Sequence, residues 1–187
     1  MKNLSKFNKF VLAVAFQVAV ILTIILLKVV ILTGGTEITL RIEPVDPTSP
    51  LRGDYLAFRY TDLSAISPYT LGVINTKNGE TVYVILKEDG GYWSAKSVQT
   101  KKPEGDNTIF LKGKVVSGAP ESSGWPANYY STNPTLQIVY GTENYFIPQG
   151  KGQNLNLRDK KAMAVVSVDT EGNAALKKIL LDGQPWP

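Results

Sequence analysis

Three carboxylates are the residues in this chain best suited to chemistry. Asp46, Asp54 and Glu143 stand at turn or strand boundaries, and glycoside hydrolysis needs only two placed acids. Asp54 and Glu143 are the candidate catalytic pair; in a shared cleft they would make a hydrolase. Each acid also has a plainer role. Asp46 precedes Pro47 in a turn, where aspartate bonds nearby backbone. Asp54 follows Gly53 at the start of a strand, where its carboxylate can accept turn amides, and Arg41, Arg52 and Arg59 supply further partners. Asp54 also closes the tripeptide Arg52-Gly53-Asp54, a match to an integrin ligand, but three residues are too short a signal to carry a function.

Most other chemistries are excluded by residue type. There is no Cys and no His, which removes disulfides, thiol catalysis, imidazole acid–base chemistry and Cys/His zinc sites. Gly150-Lys151-Gly152 is too short for a phosphate loop and has no helix after it. Asp169 to Asn173 offers oxygen ligands for calcium without a completing acid, and reads better as a hairpin turn. No cofactor and no metal are therefore expected. Arg52, Tyr55, Tyr60 and Tyr145 are the candidate binding residues, able to line a glycan or peptide cleft. By the two-residue period of a strand, Tyr55 faces one side while Phe58 and Tyr60 face the other, toward the core. The segment from Gly118 to Pro134, with Trp125, Tyr129 and Tyr130, is either a ligand platform or, the preferred reading, a lid over the core.

These residues depend on an unusual N-terminus for their location. Phe10 to Leu32 carries a single charge, Lys28. As a helix it would be about 35 Å long, enough to cross a ~30 Å hydrocarbon core. The run exceeds a signal-peptide core and no Ala-x-Ala site follows, so an uncleaved anchor is expected. Lys2, Lys6 and Lys9 precede it without an acid, which predicts a cytoplasmic N-terminus and an exported remainder. Lys28 sits near the outer end, where a lysine snorkels to the interface or pairs with an acid on a partner helix. Gln17 near mid-span can hydrogen-bond a neighbouring helix. Setting aside the four anchor lysines, the remaining 16 basic residues balance all 16 acids. The exported part is formally neutral, which argues against nucleic-acid binding.

Beyond the anchor, turn signals separate short strands. Glu37 to Glu43 alternates, with Ile38, Leu40 and Ile42 on one face. Pro44 to Pro50 holds three prolines and reads as an extended turn, excluded from helix and from any central strand. Strands are expected at 54–61, 81–87, 92–98, 108–117, 135–140, 143–148, 162–169 and 174–181. Glu88 to Gly91 and Thr170 to Asn173 are the hairpin turns. A short helix is expected between Asp62 and Tyr69, and 150–159 reads as a polar loop. The pattern predicts a mainly β fold: one antiparallel sandwich or barrel-like domain after a single transmembrane helix.

The stretch Gly53-Asp54-Tyr55-Leu56-Ala57-Phe58-Arg59-Tyr60 resembles the motif that names the bacterial GDYXXLXY family, with Phe58 in place of the leucine. Pro44-Val45-Asp46-Pro47 is similar to the family's lead-in. Tyr140 to Gly152, Val168 to Leu176 and Leu181 to Gly183 are similar in type to later blocks, so the likeness runs from about residue 37 to 183. Gln149 and Asn156 depart from it, standing as amides where the family commonly has acids. The resemblance implies a membrane-anchored bacterial protein with no assigned reaction, often encoded beside or fused to multi-span membrane proteins. A second likeness is to serine–lysine peptidases, through the Pro-Thr lead-in and the Gly-Asp strand start. There the nucleophile's position falls around Val45, which has no hydroxyl, and Ser49 lies too close to Gly53; Lys87 or Lys112 would be the base.

The expectation is a three-part chain: a cytoplasmic tail at 1–9, a signal-anchor at 10–33 and an extracytoplasmic β domain at 34–187. Its expected place is the bacterial inner membrane, with the domain on the periplasmic side. Its expected role is non-enzymatic, binding or supporting an integral membrane-protein partner in contact with the lipid bilayer. The alternative is an envelope hydrolase using Asp54 and Glu143.

Overall fold

The apolar run folds as one continuous helix, α1 (Lys6–Gly34), in a computed structural model of the chain. The structure describes residues 5–45, 55–67, 76–105, 108–118, 135–147 and 160–186. At 29 residues α1 is about 44 Å long, and it is long and apolar enough to cross a membrane. Its N-terminus is capped by Ser5, whose hydroxyl accepts the Asn8 amide at 3.3 Å. Nearly all of its large apolar side chains, from Phe7 to Val30, are exposed to the surroundings of the protein. Ile31 is the exception and is buried against the β domain.

After Gly35 the chain enters β1 (Thr36–Val45) directly, with no linker. The strands that follow are β2 (Tyr55–Tyr60), β3 (Ala65–Ile66), β4 (Thr81–Asp89), β5 (Tyr92–Gln99) and β6 (Phe110–Ser117). The remainder are β7 (Leu136–Val139), β8 (Asn144–Phe146), β9 (Ala162–Val168), β10 (Ala174–Leu181) and β11 (Gln184–Trp186). They form two antiparallel sheets, one in the order β11-β10-β9-β1-β2-β8 and the other β3-β7-β6-β4-β5. The predicted mainly β, sandwich-like fold behind an apolar helix is what forms. The alternation in β1 buries Ile38, Leu40 and Ile42, and Phe58 and Tyr60 join them from β2. Val82, Val84, Leu111, Val115, Leu136 and Ile138 close the core from the second sheet. Both expected hairpins form. The β4–β5 strands run further than their composition suggested, leaving Gly90-Gly91 as a two-residue turn with φ of 61° and 89°, the left-handed pair such a turn requires.

Two expectations need correction, and one strand was not expected. Pro44 lies within β1, a central strand, opposite Phe58. It is tolerated because β9 pairs only as far as Arg41. The Thr61 amide donates to the Arg41 carbonyl at 3.1 Å, which sets the alternation and puts Pro44 at a position that makes no ladder bond to β2. The expected helix after Asp62 is instead a turn followed by the two-residue strand β3, paired with β7. There the Leu63 and Ser64 amides both donate to the Tyr60 carbonyl, a single helix-like turn that goes no further because the Ser64 carbonyl accepts the Ile138 amide and the chain pairs with β7. The short strand β11 also escaped notice, since Pro185 disguises it; as the edge of its sheet it pairs only with β10.

Candidate functional site

The residues singled out from the sequence converge on β2, β8 and the turn between β7 and β8. Tyr60 closes β2 and is only 1% exposed. Its hydroxyl lies 2.8 Å from that of buried Thr142. Tyr140 stacks edge-on against it, ring centroids 5.8 Å apart, and donates its own hydroxyl to the Leu63 carbonyl at 2.8 Å. Phe58 also packs edge-on to Tyr60, ring centroids 5.5 Å apart. Burial pushes both phenols above the ordinary tyrosine range, and the Glu143 charge adds to the effect at each. Both rings therefore stay neutral at physiological pH. In the structure they serve as hydrogen-bond partners and packing groups.

Glu143 is committed locally. Its carboxylate accepts the Tyr140 amide across the turn, and its carbonyl accepts the Phe58 amide at 3.0 Å. It is half-buried. The register of β2 and β8 sets Glu143 beside Phe58, while Tyr55 faces Phe146. Three residues of strand, about 10 Å, separate those two positions. Asp54 and Arg52 lie outside the described residues, as does the side chain of Tyr55. Tyr145 is half-buried, opposite Leu56, and packs on the core. Of the four candidate binding residues, Tyr60 thus presents no surface to a ligand. The aromatic segment from 119 to 134, the loop at 150–159, Asp46 and Ser49 also lie outside the described residues.

Two other constellations had no clear sequence signal. Arg41 on β1 makes a two-pronged contact with Asp62, 2.9 Å to each carboxylate oxygen, and lies 4.3 Å from the centre of the Tyr92 ring on β5. It links central strand β1 of one sheet to edge strand β5 of the other. The second is the junction of helix and sheet. The Ser167 hydroxyl donates to the Ile31 carbonyl at 2.6 Å, and the Gly35 amide donates to the same oxygen at 3.2 Å. A side chain at position 35 would come within 2.8 Å of the Ile31 and Val168 carbonyls, so glycine is needed for that approach. The one hint in the sequence is Ser167 itself, a lone hydroxyl in the apolar run of β9, where a buried polar group needs a partner.

Beside this junction opens a cleft of about 710 Å³. The last turns of α1 form one wall, with Val30 and Gly34. The β5–β6 connection contributes Lys102, and the β9–β10 turn contributes Asp169 and Glu171. Lys102 pairs with Glu171 at 2.6 Å. Asp169 is occupied in holding its turn, accepting the amides of Glu171 and Asn173 at 2.9 and 2.8 Å. That arrangement is the hairpin turn expected from the sequence.

No curated protein and no solved structure matches the chain. The model of the GDYXXLXY protein family matches residues 17–179, beginning inside α1 and running through the β domain into β10. With most of its length covered by that match, the chain belongs to the GDYXXLXY family.

Proposed function

We propose that this chain is a single-pass protein of the bacterial inner membrane whose periplasmic β domain binds or supports an integral membrane-protein partner without catalysing a reaction. The observation that carries this reading is the hydrogen-bonded junction of helix and sheet. An exposed apolar helix passes without a linker into β1, and its last turn is bonded to β9 through Ser167. A domain fixed in this way keeps one orientation to the bilayer, as a docking module needs and a free enzyme does not. Lys2, Lys6 and Lys9, ahead of the apolar run, favour a cytoplasmic N-terminus.

Gln17 and Lys28 are eleven residues apart, close to three helical turns, and so share one face of α1. Both are exposed. A polar face within an apolar span suits a neighbouring helix bearing an acid or amide. The hydrolase reading gains nothing from Glu143, whose carboxylate already caps the turn at Tyr140.

The test is site-specific photocrosslinking in native membranes, with the probe at Gln17, Lys28 or, as a control, Leu22 on another face. A partner adduct from positions 17 and 28 that is absent from position 22 supports the proposal. The absence of any membrane-protein adduct from positions 17 and 28 would refute it.

A further inference from the structure

The cleft at the junction of α1 and the β domain is built at the depth of lipid headgroups. The apolar run of α1 ends at Leu32, and ~20 residues of helix already cross the hydrocarbon core. Val30 and Gly34, which wall the cleft, therefore sit at the outer interface when the helix spans. This inference rests on the membrane-anchor reading above.

The volume of about 710 Å³ lies in the range of small-ligand sites. Its lining includes apolar Val30 on the helix and Phe110 on β6, and polar Thr36, Lys102, Asp169 and Glu171. Lys102 and Glu171 form an exposed pair, with side chains 44% and 61% accessible. Such a pair is weakly held and opens readily to a competing ligand. With Asp169 included, the charged residues of the lining, among the described residues, are one cation and two anions, a surplus of one negative charge.

We infer that this cleft binds the headgroup of an amine-bearing zwitterionic phospholipid, with the phosphate on Lys102 and the ammonium on Glu171. A zwitterion satisfies both members of the opened pair at once. An anionic headgroup would satisfy only Lys102 and would meet the surplus negative charge. The glycerol and upper acyl carbons then lie along Val30, continuous with the apolar surface of α1.

The test uses the full chain in nanodiscs holding equal parts phosphatidylethanolamine and phosphatidylglycerol, with retained lipids read by native mass spectrometry. Wild type should retain phosphatidylethanolamine on the order of fivefold over phosphatidylglycerol. Glu171→Lys, at an exposed turn, changes the lining to a positive surplus and should reverse the preference. Thr36→Trp should fill the cleft and reduce retention of both lipids. Equal retention by wild type, or a preference unmoved by Glu171→Lys, overturns the proposal, with a melting curve confirming that the variant is folded. Equal protection against melting by soluble glycerophosphoethanolamine would overturn the lipid as occupant. Carbonate extraction separates the two readings. A chain released from membranes refutes both the anchor and the lipid site, whereas a retained chain with no lipid preference refutes only the site.

Discussion

Removing one hydroxyl from Tyr60 tests whether the final tyrosine of the family motif is structural. Tyr60→Phe keeps the ring, its packing on Phe58 and its edge contact with Tyr140, and deletes only the group 2.8 Å from Thr142. Both partners are buried, so the remaining Thr142 hydroxyl loses its partner away from water. Stranding a buried hydroxyl costs about 1–2 kcal/mol. For a domain of this size that is roughly 2–8 °C in melting temperature. Thr142→Val should cost a similar amount, because it strands the phenol instead. The double variant should cost less than the sum of the two, with a coupling of about 1 kcal/mol. The assay is thermal unfolding of the full chain in detergent, followed by near-ultraviolet circular dichroism of the buried aromatics. Strictly additive effects would refute the hydrogen bond as the reason for tyrosine at this position. Unchanged stability with lost partner crosslinking would show instead that the hydroxyl acts in recognition.

Burial raises the Tyr60 and Tyr140 phenols above the unfolded value near 10. Their contribution is complete below pH 10 and is lost as pH rises above it, because the unfolded chain then releases protons that the folded chain holds. Unfolding free energy, followed by denaturant titration, should be insensitive to these groups near neutrality and fall above pH 10 by up to about 1.4 kcal/mol per pH unit per phenol; Tyr60→Phe should lessen that slope. Arg41→Lys cannot make the two-pronged contact with Asp62 or stack equally on Tyr92, and should cost about 0.5–1.5 kcal/mol by the same melting assay. Gly35→Ala forces a methyl toward the Ile31 and Val168 carbonyls and should cost about 1–3 kcal/mol. Its protease sensitivity should rise at the helix–sheet junction specifically, and an unchanged cleavage pattern would refute the tight approach.

Much of the architecture is legible in the sequence because it follows from local periodicity. The apolar run at 10–32 carries a single charge in 23 residues, and a helix satisfies all of its backbone within the segment. Ile38, Leu40 and Ile42 alternate, and that alternation alone assigns one side of β1 to the core. Asp169 to Asn173 holds its hairpin through bonds within five residues. The candidate site was less legible, because it depends on partners distant in sequence. Tyr60 meets Thr142 across 82 residues, and Ser167 meets Ile31 across 136. Pro44 could not be placed from composition, since its tolerance depends on where β9 stops pairing. Lys102 and Glu171 have no relation in the chain until the β5–β6 connection and the β9–β10 turn meet beside the helix. By itself the sequence determined the apolar helix, most of the strands and the tight turns, whose energetics are settled among near neighbours. Only the tertiary structure decided that the motif tyrosine is a core lock, that the helix is bonded to the sheet, and that a mixed-charge cleft opens at their junction. Those features arise where separate strands and the helix end converge, and no local pattern records which residues will meet there.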